Sequence, residues 1–366
     1  MIPLCIPEIK GNEWKYVKEC LDTNWVSSVG KFVNRFEDEF AAYEGAESAV
    51  VTMNGTAALH LALETLGIGE GDEVIVSSMT FISPVNSIKY VGATPVFVDI
   101  CRDTFVMDAD KIEELITDKT KAIMPVHIYG YAVDMDKVNK IAKKHGLYVI
   151  EDATEALGTT YKGKKLGIIG DIGCFSFNGN KLITTGAGGM LVTNNKQWAE
   201  RAKYLSTQTK TILDNGAFYH DEVGYNFRMP NLLAAVGVAQ LEMVPEYLEK
   251  KIQAANLYNQ LLNDVDGITL IKHDDEDVKN CYWLYAILVE DSYAISRDEL
   301  LKILNENSIG ARPFFMPVHE MPPYIDCKAG TMEVSKEISL RGVNLPSSVS
   351  ITGEEIRKVC KIIREV

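Results

Sequence analysis

A chain of 366 residues, 46% hydrophobic and 24% charged, is long enough to bury a large core and has the make-up of a globular protein. Its net charge of −14 argues against nucleic acid as a partner, because neutralising phosphates needs a basic face. No run approaches the roughly eighteen apolar residues of a membrane span, and no basic-then-apolar leader opens the chain, so neither membrane nor export is expected. The seven scattered cysteines (Cys5, Cys20, Cys101, Cys174, Cys281, Cys327, Cys360) never form C-x-x-C. That usage points to a reducing cytoplasm and to no disulfide framework or metal site.

From about Ser48 to Val192, short β-branched runs alternate with amphipathic stretches. "SAVVTM", "DEVIVSS", "TPVFVDI", "KAIMPVH", "LYVIED", "GCFSF" and "GGMLVT" read as strands. Between them "TAALHLALETLG", "PVNSIKYVG", "DADKIEELI" and "DMDKVNKIAKKHG" read as helices. Apolar strands separated by helices predict a mostly parallel α/β sheet covered on both faces, with ligands at the carboxyl edge of its strands. Two long helical patterns then meet near Pro245, and "CYWLYAILVE", "SRDELLKILNENS" and "ITGEEIRKVCKIIREV" predict a smaller α+β domain. The expected division is 1–245 for the large domain with its N-terminal arm and 246–366 for the companion.

Three constellations can carry chemistry. In "TMNGTAALHLALETLG" a strand runs into Asn54-Gly55-Thr56 and a helix, offering free N–H groups and a hydroxyl to a phosphate. The plain alternative is a capped strand-to-helix turn. In "LYVIEDATEALG", Asp152 ends an apolar strand, where an ionised carboxylate needs a cationic partner; a helix N-cap is the alternative. In "CFSFNGNKLITTGAGGM", Lys181 lies between a strand and a glycine-rich run, five residues after Ser176. A desolvated lysine suits Schiff-base chemistry, whereas a lone turn lysine is ordinarily solvated. Taken together, the three supply what pyridoxal 5'-phosphate requires: a phosphate cradle, a carboxylate for the pyridine nitrogen and an amine for the aldehyde. Phe81 offers an aromatic face for the ring.

These residues make the chain resemble the DegT/DnrJ/EryC1/StrS sugar aminotransferases, of fold-type I aspartate aminotransferase architecture. The likeness rests on "NGTAALHLAL", "GDEVIVSSMTFISPVNSI", "GATPVFVDI", "VIEDATEALGTTYKGKKLG", "GDIGCFSFNGNKLITTGAGGMLVT" and "GYNFRMPNLLAAVGVAQLE". Several of these resemble the branch that aminates UDP-linked 2-acetamido-4-keto-6-deoxyhexoses. The resemblance implies that Lys181 bonds the cofactor and shuttles the proton, and that Asp152 pairs with the pyridinium. It implies that Gly55, Thr56 and Ser176 hold the phosphate, that Phe81 stacks on the ring, and that Glu155 and Asn178 are also among the cofactor-binding residues. It places Asn226 at the cofactor of a partner subunit in a homodimer. Asn24, Trp25, Val26, Ser27 and Ser28, with Arg312 and His319, match substrate-contacting segments, and Arg228 is a further anion binder.

Two positions depart from the family. Glu155 stands where many relatives have glutamine, and an ionised carboxylate can only accept hydrogen bonds. "STQTK" (Ser206 to Lys210) replaces a histidine-glycine pair. A branch with histidine at the lysine position dehydrates; Lys181 favours amino transfer. His60, His127 and His220 are read as packed or capping residues at least as readily as pocket residues. The implied reaction moves an amino group, from glutamate by analogy, to a nucleotide-linked keto sugar. The rivals are another reaction on the same cofactor and a sensor that binds the cofactor without turnover.

Overall fold

The computed structural model describes residues 1–271 and 277–366. Helices α1 (Glu13–Asp22) and α2 (Lys31–Glu44) precede a seven-stranded sheet of β1 (Ser48–Thr52), β2 (Glu73–Ser77), β3 (Thr94–Val98), β4 (Thr120–Met124), β5 (Tyr148–Asp152), β6 (Ile172–Ser176) and β7 (Gly189–Thr193). The order is β1-β7-β6-β5-β4-β2-β3; β7 runs antiparallel to both neighbours and the other pairs are parallel. Every expected strand of this sheet is present, and each is apolar because both its faces are covered. Helices α3 (Gly55–Thr65), α4 (Ser83–Tyr90) and α5 (Met135–His145) connect the strands, and α6 (Lys196–Ser206) follows β7.

One expected helix is not formed. "DADKIEELI" folds as two 3₁₀ turns, Ala109–Lys111 and Glu113–Leu115. Ile112 and Leu115 are both buried and lie three residues apart, a spacing that single 3₁₀ turns satisfy without an α-helix.

Helix α7 (Asn231–Glu242) is buried almost all round, beneath α1 and α2. At Gly237 a Cβ would fall 2.5 Å from the Phe36 ring, so glycine sets how closely α7 and α2 approach. The break before α8 (Val244–Leu262) falls where expected, with Pro245 in its first turn. A second sheet, all antiparallel, has the order β8-β9-β11-β10 from β8 (Ile268–Leu270), β9 (Tyr285–Val289), β10 (Arg312–Pro313) and β11 (Gly342–Leu345). It is accompanied by α9 (Arg297–Glu306), α10 (Glu333–Arg341) and α11 (Gly353–Glu365). Helices α9 and α11 open on capping boxes, Ser296 with Glu299 and Thr352 with Glu355.

The first residues form a strap along this second sheet. Ile2 N donates to Ser308 O at 2.8 Å, Gly310 N to Ile2 O at 2.8 Å, and Ser347 N to Leu4 O at 2.7 Å.

Glu44, at the end of α2, is buried, and neither carboxylate oxygen has a hydrogen-bond partner. Burial pushes its pKa above the ordinary 4.5, Lys165 opposes this and Glu151 adds to it. The folded protein therefore binds a proton that the unfolded chain has released, so stability falls as pH rises above about 4.5. Glu44→Gln is expected to remove this decline, raising stability at pH 8 by on the order of 1–3 kcal/mol with little change at pH 4. Parallel urea titrations at the two pH values check it; equal effects at both would refute the assignment.

Candidate active site

The carboxyl ends of the parallel strands converge on a cavity of about 760 Å³. Beyond β1 come Asn54, Gly55 and Thr56; beyond β2, Thr80, Phe81 and Ser83; Asp152 ends β5 and Ser176 ends β6. The N-terminal strap, Trp283, Arg312, Phe315 and Asn344 form the opposite wall.

Helix α3 begins at this wall. Asn54 is its N-cap, with Oδ1 accepting from Ala57 N at 2.8 Å. A Cβ at Gly55 would lie 2.9 Å from Ser176 Cβ and 3.1 Å from Thr154 Cγ2, so only glycine lets the start of α3 sit this close to the end of β6. Thr56 Oγ1 donates to Ser83 Oγ at 2.9 Å. Helix N–H groups ringed by Thr56, Ser83 and Ser176 hydroxyls are a donor set suited to a phosphate.

Asp152 is buried, and its Oδ1 accepts from Thr154 N at 3.1 Å. Desolvation pushes its pKa up, against the pull of the Thr154 hydrogen bonds and of Lys181 and His127. A cation brought to this carboxylate would relieve that penalty, which is what a pyridinium nitrogen offers.

Glu155 is held by two donors: Tyr129 N at 2.8 Å on Oε2 and Lys181 Nζ at 3.4 Å on Oε1. Burial raises its pKa first and foremost, opposed by Lys181. The Tyr129 amide reaches it from a left-handed conformation, φ 55°, that few non-glycine residues adopt. The glutamate at this family position is thus turned toward donors of its own chain. Lys181, its side chain largely buried, follows a turn closed by its N–H to Asn178 O at 3.0 Å. Asn178 lines the cavity beside it.

Gly55, Thr56, Phe81, Asp152, Glu155, Ser176, Asn178, Lys181 and Arg312 are thus brought together around one cavity. The remaining expected residues lie elsewhere. Arg228 is buried and ion-paired to Glu37, whose Oε1 also accepts from Val51 N at 3.0 Å, so its guanidinium is committed to the fold and not to a substrate anion. His319 bonds Ser78 through Nδ1 and packs 6.3 Å from the Phe97 ring, away from the cavity wall. Asn24, Trp25, Val26 and Ser27, exposed, and the half-buried Ser28 form a loop off the cavity. Asn231 fastens it, donating to Trp25 O at 2.8 Å and to Ser27 O at 2.6 Å while Oδ1 caps α2. Asn226 is exposed and pairs with Thr207.

Of the other histidines singled out, His127 and His60 resolve as packing groups, and His220 is exposed. His127 is wholly buried between Glu151, 3.0 Å from Nε2, and Val133 N, 3.2 Å from Nδ1. His60 packs against Tyr225, Phe227 and Tyr90, and His220 Nδ1 lies 2.7 Å from Gln208 O. Asn54 also lines the cavity, and the sequence reading missed Ser83, Thr154, Trp283, Asn344 and the strap. Only Asn54 carried a local signal, as a helix cap; the rest reach the cavity by tertiary folding.

The donor set therefore fits pyridoxal phosphate: a helix-start cradle at a position only glycine can occupy, a desolvated carboxylate and a largely buried lysine in one wall. Comparison with known proteins agrees. A family model described as the DegT/DnrJ/EryC1/StrS aminotransferase family matches residues 7–364. The chain is 44% identical over 364 residues to GDP-perosamine synthase of Escherichia coli O157:H7, covering 100% of this chain and 98% of the relative. It is 44% identical over 365 residues to the GDP-perosamine synthase of Caulobacter vibrioides, with the same coverage. A Streptococcus pneumoniae protein solved in its PMP form superposes with a TM-score of 0.94 at 27% identity, over 100% of this chain and 98% of that one. This is the architecture of a pyridoxal-phosphate-dependent aminotransferase of fold type I. The chain belongs to the DegT/DnrJ/EryC1/StrS aminotransferase family.

Proposed function

We propose that the protein moves an amino group from an amino acid, glutamate by analogy, to C4 of a nucleotide-linked 4-keto-6-deoxyhexose. The observation that carries this reading is the shared cavity, with Lys181, Asp152, Glu155 and the α3 cradle on one wall and Arg312 on the other. When bound, pyridoxal phosphate supplies an aldehyde for the Lys181 amine and a ring that takes up electrons. Asp152 keeps the ring nitrogen protonated, Thr56, Ser83, Ser176 and the α3 amides hold the phosphate, and Phe81 covers the ring face. Lys181 Nζ would take the proton from the α-carbon of the donor amino acid and, in the second half-reaction, deliver one to C4 of the sugar.

The relatives named GDP-perosamine synthase favour a GDP-linked sugar. That supersedes the 2-acetamido UDP-sugar expected from the motifs as the first reading. Incubating the protein with glutamate and a panel of GDP-, UDP- and dTDP-linked 4-keto and 3-keto sugars, followed by mass spectrometry, decides the matter. Amine gain by the GDP-linked 4-keto compound is expected; reaction of only 3-keto sugars or non-sugar ketones sinks the substrate assignment. A protein that binds the cofactor and leaves glutamate untouched would be a sensor instead.

Two expected site segments, 24–28 and Asn226, are largely exposed and lie off this chain's cavity. We read them as completing the site of a second copy in a homodimer. No helix among the described residues is long and apolar enough to cross a membrane, and a cytoplasmic setting suits a nucleotide-sugar substrate.

Arg312 lies exposed at the cavity, and a guanidinium there suits a diphosphate. Arg312→Ala is expected to raise KM for the sugar nucleotide about tenfold to a hundredfold, leaving KM for glutamate and the melting temperature unchanged. Steady-state kinetics with each substrate varied in turn checks this.

A further inference from the structure

Lys181 Nζ lies 3.9 Å from the centre of the Trp283 ring and 3.4 Å from Glu155 Oε1. Trp283 leads into β9, far from Lys181 in sequence, and nothing in its local pattern marks it as more than core. Its edge and its face do different things. The indole N–H donates at 2.7 Å to the carbonyl of Asn180, the residue before the lysine. Cys5 Sγ, from the strap, reaches the same carbonyl at 3.1 Å. The face lies against the lysine head group. Trp283 is itself fixed: its carbonyl accepts from the buried Lys251 Nζ at 2.7 Å, and its ring stacks near Tyr129 at 6.3 Å. That same Tyr129 supplies the amide that holds Glu155.

We infer that Trp283 is a positioning residue that seats the Lys181 head group whenever the lysine is not bonded to the cofactor. This rests on the reading of Lys181 as the cofactor lysine. An aromatic face attracts an ammonium through its quadrupole without taking its proton or demanding one fixed hydrogen-bond geometry. A lysine that must leave and return each turnover is thereby kept within reach, and a carboxylate alone would hold it by a bond that must be broken each time. The indole N–H meanwhile fixes the backbone from which the lysine swings.

The test uses the full-length protein without added cofactor and the amine reagent trinitrobenzenesulfonate, with labelling of Lys181 followed by peptide mass spectrometry at pH 8. Trp283→Leu is expected to be labelled at Lys181 about three- to thirtyfold faster than the wild type. Trp283→Phe keeps an aromatic face but loses the N–H; it should label nearly as slowly as wild type yet show a lower kcat with KM for the sugar unchanged. Should the leucine variant fail to fold, singly to multiply fluorinated tryptophans at 283 keep the shape while weakening the face. Labelling that accelerates stepwise with fluorination supports the seat; a flat series overturns it. Pyridoxal phosphate should shield wild-type Lys181 from the reagent. Absence of shielding would sink the cofactor reading, whereas a flat series with shielding intact sinks only the role of Trp283.

Discussion

Lys181→Ala is expected to abolish amino transfer, by about 10⁴-fold or more, and to remove the absorbance of the lysine-bound cofactor. The size follows from the double duty of one side chain. Proton transfer by a positioned group alone is worth about 10²–10⁴, and the covalent route that the amine opens is lost with it. The fold should be kept with at most a small fall in melting temperature, because Glu155 loses a cationic partner at 3.4 Å but keeps the Tyr129 amide, and among the described residues the lysine head group otherwise meets the Trp283 face. A variant that kept both the absorbance and turnover would overturn the functional assignment. Loss of both with a large fall in melting temperature would show that Lys181 holds the fold instead. Absorbance spectroscopy, product mass spectrometry and thermal unfolding on one preparation separate these outcomes.

Arg228→Ala is expected to cost about 3–5 kcal/mol of stability and to leave KM for the sugar nucleotide essentially unchanged. Removing the guanidinium strands Glu37, a buried carboxylate that accepts from Val51 N at 3.0 Å and otherwise keeps only the half-exposed Lys203 at 3.1 Å. The pair ties α2 to β1 and to the segment leading into α7, so its loss loosens the packing behind the cavity. Glu37→Gln in the Arg228→Ala background should recover part of the loss, since a glutamine oxygen still accepts from Val51 N without a buried charge. Denaturant unfolding of both variants beside steady-state kinetics is the check. A large KM effect with unchanged stability would return Arg228 to the role of anion binder that the motif suggested.

Arg228 illustrates where sequence reasoning stops. "GYNFRM" matches a functional motif, but nothing local records that a glutamate far earlier in the chain will claim the guanidinium. His319 is the same case, since its partner Ser78 arrives from the end of β2. Glu155 was legible as a departure but not as a solution; the Tyr129 amide that satisfies it depends on an uncommon backbone conformation. The stretch at 109–115 differs from the expected helix for a local reason, because two apolar residues three apart fit a helix and a 3₁₀ turn equally well.

By itself the sequence determined the seven strands of the main sheet, the α7–α8 break and three of the positions that line the cavity, Gly55, Asp152 and Lys181. These signals are local: strand periodicity, a proline in a first helical turn, and polar residues placed where apolar strands end. The tertiary structure alone decided the opposite wall of the cavity, the fastening of the 24–28 loop by Asn231 and the meeting of Trp283 with Lys181. Such contacts join segments far apart in the chain, and their partners are chosen by packing and desolvation, which leave no periodicity in either segment to read.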